Sequence, residues 1–350
     1  MPNRQLSLAA TAVLVLALTP GVLSASTNFE LQKIADGVYA VIVKPGSTAG
    51  SNGAVIVNKD DVLVVDTHYR PSFARELLEE VKKLTPLAVH YVVNTHWHND
   101  HTQGNQAYFN AFPKGVEFLS HINTRRDILA KAIPNMKDDL TTGTPTQIKT
   151  LETRIAASTD AAEKERLQAA LKDRQTYLAE LKSIEISLPT LTFDHSMVLH
   201  KTDNHGGDRE IRLLYFGRGH TAGDIVTYLP KDKIVITGDL LTSGIPFFRD
   251  AYPAEWTATL KGVSHLDFEQ AVPGHGPVQQ GKSQIGRLIA YMDDMVGGVR
   301  KLANEGKSID DVKKSLDLSK HKDGLAGFVA PLGNVLAVER TYSEAKGLVP

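Results

Sequence analysis

Between Asn94 and His101 the chain reads Asn-Thr-His-Trp-His-Asn-Asp-His, so His96, His98, Asp100 and His101 fall within six residues. Imidazole nitrogens and carboxylate oxygens are the donors taken by a borderline-soft divalent cation such as zinc. The spacing i, i+2, i+4, i+5 differs from the helical pair at i and i+4. Extended backbone sends His96 and His98 to the same side, and Asp100 and His101 follow as the chain turns into a helix. A polar surface loop often carries one or two histidines. Four potential ligands in so short a run point to a metal site.

Three later segments follow the same logic. Gly217-Arg218-Gly219-His220-Thr221-Ala222-Gly223-Asp224 sets a histidine in a glycine-rich loop just before a strand. Val235-Ile236-Thr237-Gly238-Asp239 sets a carboxylate just past a buried strand, and Ala271-Val272-Pro273-Gly274-His275-Gly276-Pro277 sets another histidine after a short one. Alone, a histidine beside glycines is more often a turn residue than a ligand. Together, each at the end of an apolar strand, they are placed to converge on one cleft.

The elements that must position these residues are legible in the pattern. Val38–Val43, Ala54–Val57 and Val62–Asp66 read as strands separated by glycine-containing turns. Pro71 opens a helix with Phe73, Leu77, Leu78, Val81 and Leu84 on one face. The run Val89–Val93 is a buried strand that delivers the histidine cluster at its C-terminal end, where open α/β sheets place their chemistry. Residues 123–185 read as a helical insertion: Asn123 caps a helix that Pro134 stops, Thr141–Thr146 is a loop, and 160–184 is a helix with a narrow leucine stripe. That insertion is expected to be a solvated hairpin covering one edge, without chemistry of its own. Strands resume from Leu191 to Thr237, and helices follow from Pro253 and Ser283, with a short capped one at Ser308–Leu316. The order β-rich, helical, β-rich, helical predicts two facing sheets with helices outside.

Composition narrows the function. The chain has 350 residues, with Lys+Arg 39 against Asp+Glu 40 and a net charge of −1. Without basic clusters it lacks the track that a phosphate backbone requires, which argues against a nucleic-acid partner or nuclease activity. There is no cysteine and there are 13 histidines, so a metal site must be built from His, Asp and Glu. Residues 1–24 carry Arg4 as their only charge, an apolar run Leu6–Leu18, and then Pro20-Gly21 and small residues. That is the layout of a secretory signal cleaved after Ser24 or Ala25, and the run is short of the ~20 residues a spanning helix needs. The expectation is a secreted or periplasmic protein, with residues 25–350 forming the mature domain and no stable membrane insertion.

The motifs His-x-His-x-Asp-His, Gly-His-Thr-x-Gly-Asp, Thr-Gly-Asp and Pro-Gly-His-Gly, in this order over about residues 29–280, resemble the metallo-β-lactamase superfamily of metal-dependent hydrolases. The resemblance implies an α/β fold, a four-layer αββα sandwich. It implies one zinc on His96, His98 and His220, a second on Asp100, His101 and His275, and Asp239 bridging them. Counting agrees, because seven side chains are too many for one four-coordinate metal that keeps an open position. Two divalent ions against Asp100, Asp239 and a bridging hydroxide leave a cationic cleft for a small-molecule substrate. An N/O-only donor set would also accept iron or manganese.

Asp66 matches a carboxylate that similar proteins place behind the ligands to fix an imidazole tautomer. Thr221 and Asp224 are further candidates for that supporting role, and Trp97 and His68 for lining the cleft. The implied reaction is hydrolysis by metal-activated water, with Asp100 or Asp239 shuttling a proton; no nucleophile-elbow serine is present to offer another route. Similar thioesterases and lactonases carry an aspartate at the position of Asp239, whereas zinc β-lactamases proper typically carry Cys or Ser. Residues 244–256, with Arg249 among them, are expected to wall the pocket. A non-catalytic metal-binding protein would keep the fold and lose ligands, yet all seven are present.

Overall fold

The computed structural model describes residues 26–349, so the signal-like segment lies outside the described residues. Its first half builds one sheet: β1 (Phe29–Ala35), β2 (Val38–Val43), β3 (Gly53–Val57), β4 (Val62–Val65), helix α1 (Pro71–Leu84), then β5 (Val89–Val93). Two short helices follow, α2 (Asn99–Thr102) and α3 (Asn105–Ala111), before β6 (Glu117–His121). The insertion holds α4 (Ile122–Asp127), α5 (Ile133–Asp138), α6 (Thr144–Ala157) and α7 (Ala161–Leu181), and β7 (Leu191–Phe193) closes the sheet. The second half contributes β8 (Ser196–Thr202), β9 (Asp208–Tyr215), β10 (Ile225–Leu229), β11 (Ile234–Thr242), α8 (Pro253–Ser264), β12 (Gln270–His275) and β13 (Gln279–Gln280). Helices α9 (Ser283–Asn304), α10 (Ile309–Ser315) and α11 (Val335–Ala345) complete it.

The seven-stranded sheet runs β1 to β7 in sequence order, antiparallel up to β4 and parallel from β4 to β7. The six-stranded sheet has the order β13-β12-β11-β10-β9-β8, with β11 and β12 parallel. Three apolar cores stack between four layers. Val64, Leu77, Val81 and Val92 pack α1 on the first sheet; Ile56, Leu63, Val93, Leu213 and Ile236 lie between the sheets; Trp256, Leu260, Leu288 and Met292 pack α8 and α9 on the second. Strands β3, β4, β10 and β11 are buried throughout, so they read as continuous Val/Ile/Leu runs rather than alternating ones. The fold is the αββα sandwich that the pattern predicted.

The two sheets are stapled beside the histidine cluster. Asn52 donates from its backbone to Gly274 O at 2.7 Å, and from Nδ2 to Pro273 O at 2.9 Å and Gly276 O at 2.7 Å. Its Oδ1 accepts from the Val43 amide at 3.0 Å, so one side chain joins β2 to the loop that carries His275.

The insertion departs from expectation. Pro134 does not stop the helix, and Thr141–Thr146 is no loop. Helical backbone continues from Ile122 to Ala157 through two π-helical turns, Ile128–Ala132 and Asp139–Gly143. Each widened turn restarts the hydrogen-bond ladder, so Pro134 and Pro145 fall in first turns, where a missing N–H costs little. His121, rather than Asn123, caps α4, accepting from the Asn123 amide at 3.2 Å. Nor is the hairpin merely solvated. Glu180 accepts from Ser72 N and Oγ at the start of α1, Asp173 pairs with the buried Arg70 at 2.7 Å, and Tyr177 is buried against Tyr69. Helix α11, past residue 320, was not anticipated.

Candidate active site

Strand β5 ends at Val93, and the next eight residues cross the mouth between the sheets. The turn is held by Asp66, which follows β4 and adopts φ 59°, a conformation that strains a non-glycine residue. Its Oδ1 accepts from the Thr95 amide at 2.8 Å, and its Oδ2 accepts from Thr95 Oγ1 and His101 Nδ1, each at 2.7 Å. Because the Thr95 hydroxyl donates to Asp66, it accepts from His96 Nδ1 at 3.1 Å. One buried carboxylate thereby holds a ring proton on the outer nitrogen of two imidazoles, leaving Nε2 of each facing inward.

The remaining donors arrive from the second sheet. His220 lies in the loop between β9 and β10. That loop is closed by Asp224, which accepts from Thr221 N at 2.7 Å and from Thr221 Oγ1 at 2.6 Å. Asp239 lies within β11, which runs on to Thr242 rather than ending before it, and a register shift against β12 between Gly238 and Thr242 aims its carboxylate into the cleft. The close approach needs glycine: a Cβ on Gly274 would sit 1.9 Å from Asp239 Oδ1. His275 ends β12 and is partly exposed.

The donors form two groups, His96, His98, His220 and Asp239, and Asp100, His101 and His275. In the first, His98 Nδ1 lies 3.1 Å from His96 Nε2 and 2.9 Å from His220 Nε2, while Asp239 Oδ2 is 3.4 Å from His220 Nε2. In the second, His275 Nε2 is 3.4 Å from Asp100 Oδ2 and His101 Nε2 is 3.6 Å from it. Asp239 reaches this group too, at 3.4 Å from His101 Nε2 and 3.3 Å from His275 Nε2. Ligands at 2.0–2.1 Å from a tetrahedral ion stand about 3.3 Å apart, so these edges fit a shared cation. His96 Nε2 and His98 Nδ1, whose ring protons are engaged on the outer nitrogens, do not hydrogen-bond to one another, and His101 Nε2 and Asp239 Oδ1 have no hydrogen-bond partner in the structure. The donor set fits a metal.

Electrostatics agree. Burial, reinforced by neighbouring His101 and His98, holds His96 neutral, well below the usual imidazole range. Burial brings His220 down to about 3. Burial would do the same to His101, but Asp100, Asp66 and Asp239 override it and push its pKa well up. Asp239 also raises His275 to about 9, against burial. The carboxylates draw positive charge to the centre of the cluster, and a divalent ion supplies it in concentrated form. Asp224, desolvated, rises to about 6.

The sequence model of the metallo-beta-lactamase superfamily matches residues 47–117 and 143–275, more than half of the chain and every one of these donors. The chain belongs to the metallo-beta-lactamase superfamily. It is therefore a metal-dependent hydrolase with a His/Asp cluster able to hold metal. A metallo-beta-lactamase type 2 from Bacillus cereus is 24% identical over 239 residues, covering 67% of this chain and 70% of that one. A linear primary-alkylsulfatase from a Pseudomonas species is 22% identical over 284 residues, 77% of this chain and 50% of the relative. Among solved structures, a metallo-beta-lactamase from Pontibacter korlensis superposes with a TM-score of 0.53 at 19% identity, covering 76% of this chain and 99% of that one.

Around the superfamily cluster lies a cleft of ≈ 260 Å³ lined by Trp97, Asn135, Phe247, Arg249 and Asp250 together with His98, Asp100, Asp239 and His275. Trp97 and the 244–256 segment line it as expected. His68 does not; it is fully buried, stacked on Phe29, with Nδ1 donating to Ser51 O at 2.8 Å. Asp250 lies in that expected segment, but its contact with His98 and the arrival of Asn135 were not foreseen. Asp250 Oδ2 accepts from His98 Nε2 at 3.2 Å, turning His98 Nδ1 inward. Although burial opposes it, the contact with His98 holds the Asp250 carboxyl below its ordinary range. Asn135 comes from the insertion. Neither has a spacing signal, because each reaches the cleft from a distant segment.

Proposed function

We propose that the protein is an exported dinuclear zinc hydrolase that cleaves an activated or cyclic acyl compound: a thioester, a lactone or a lactam. The inward array of imidazole nitrogens and carboxylates, in two sets with Asp239 3.4 Å from His220 in one and 3.4 and 3.3 Å from His101 and His275 in the other, carries this reading. His96, His98 and His220 would hold one ion and Asp100, His101 and His275 the other, with Asp239 touching both. Bound ions supply Lewis acidity toward the scissile carbonyl and bring the pKa of water to about 7. The chain does the rest. Asp66 and Asp250 keep the ring protons of His96, His101 and His98 on their outer nitrogens. Asp100, a quarter exposed, would be the carboxylate placed to take up a proton and return it to the leaving group, with Asp239 the buried alternative. Trp97 and Phe247 exclude water from the rim, and Arg249 offers a guanidinium to an anionic group on the substrate.

The cleft has small-molecule dimensions, and no described helix is long and apolar enough to cross a membrane. Asp239 favours thioester or lactone cleavage, while the Bacillus relative's name keeps lactams in the panel and the Pseudomonas relative's adds an alkyl sulfate. Purified protein should bind two zinc ions by elemental analysis and turn over at least one of a thioester, a lactone, a chromogenic cephalosporin or an alkyl sulfate, with activity lost to chelator. Full zinc occupancy without turnover of any of them would overturn the proposal. Mass spectrometry of the exported protein should show a start just after Ser24 or Ala25.

A further inference from the structure

The cleft has two lobes, which meet at Asp239, Phe247 and His275 and differ in chemistry. The lobe already described carries Asp100, Arg249 and Asp250. The other, ≈ 350 Å³, runs between residues 242–247 and Ala326–Gly327, and apart from Asp239 and His275 no ionisable side chain lines it. Several of its polar groups are engaged, leaving the Ser243 hydroxyl among the lining. Thr242 Oγ1 donates to Gly244 O at 3.0 Å, and Gln284 Nε2 takes the Thr242 and Ser243 carbonyls at 3.3 and 3.0 Å. Ile245, Pro246, Phe247 and Ala326 remain to face a ligand.

The far wall is fixed by backbone pairing. Gly244 and Ala326 form a parallel bridge, and Ile245 N donates to Ala326 O at 3.4 Å. A Cβ on Gly244 would come within 2.2 Å of that oxygen. The Ala326–Gly327 side of this wall lies beyond residue 275, where the superfamily match ends, so that side is not part of the shared motifs.

We propose that the second lobe is a subsite for an uncharged apolar arm of the substrate attached next to the scissile group, with Ala326 setting its depth. A charged arm would be desolvated there without a partner. An apolar arm gains from each methylene it withdraws from water. The lobe opens directly onto Asp239 and His275, so an arm seated in it hangs from the reacting centre. The subsite deepens the hydrolase reading and rests on it for the scissile bond, but occupancy of the lobe can be measured without turnover.

Two homologous series test it on the zinc-loaded protein. The first is kcat/KM for straight-chain acyl thioesters from acetyl to octanoyl, and the second is calorimetric Kd for the aliphatic carboxylates from acetate to octanoate. Both should improve about fourfold per methylene until the lobe is full. Ala326→Leu, at an exposed position, should flatten both slopes, with the unfolding midpoint checking that the variant is folded. Turnover that ignores chain length, with flat binding, overturns the subsite and leaves the hydrolase standing. Steep binding without any turnover supports the subsite and overturns the hydrolase. Slopes that survive Ala326→Leu overturn the role of the 326–327 wall.

Discussion

The floor of the cleft and its rim are held in different ways. On the floor, His96, His101, His220, Asp66 and Asp239 are all buried, and hydrogen bonds aim the rings of His96 and His101. On the rim, Phe247 is 41% exposed, Arg249 lies over its ring at 5.0 Å, and Asn135 arrives from a helical insertion. A floor locked this way can serve one kind of chemistry. A rim built from loose ends can be altered to suit a substrate without disturbing that chemistry.

Substitutions should separate the two. Asp239→Ala removes the carboxylate common to both donor groups; kcat/KM should fall on the order of a thousandfold, with loss of bound zinc by elemental analysis. If one zinc and most activity survive, the two groups are not joined as described.

Acid titration tests the buried support next to the floor. Burial lowers the His68 pKa to about 4, from an unfolded value of 6.5. Between those pH values the unfolded chain binds more protons, so stability is complete above the upper value and is lost as pH falls toward the lower one. The loss should approach about 3 kcal/mol in the metal-free protein. His68→Asn keeps a donor for Ser51 O and tolerates the left-handed backbone at φ 66°. It should flatten that limb of the denaturation profile, and an unchanged limb would assign it to other groups.

Asp66→Asn withdraws the acceptor that sets two ring tautomers. Zinc affinity should weaken about 10- to 100-fold by competition with a chelator, while far-UV dichroism stays native. The smallest effect belongs to the rim. Phe247→Ala should change kcat/KM about tenfold, and differently for different substrates, with zinc affinity unmoved. A drop in zinc affinity there would erase the distinction between rim and floor.

The same division decides what the sequence could reveal. The floor is written locally: period-2 spacing brings His96 and His98 together, and Gly274 stands beside His275 because Asp239 needs the space. Helix α1 was legible because Phe73, Leu77, Leu78 and Val81 are the residues it buries. The insertion misled because Pro134 and the Thr141–Thr146 stretch are local breakers that π-helical turns absorb. Helix α11 stayed hidden because Val335 and Leu336, at its start, face solvent and spoil the periodicity. Asn135, and the contact between Asp250 and His98, come only from tertiary packing, so no window of sequence announces them.

Asn52 belongs to one sheet by its chain and to the other by its bonds. Because it ties the two layers beside the donors, the sandwich can gape at that end only by breaking those bonds. Asn52→Ala should therefore let the two halves of the donor set drift apart, so that a chelator strips any bound metal faster than it does from the parent protein.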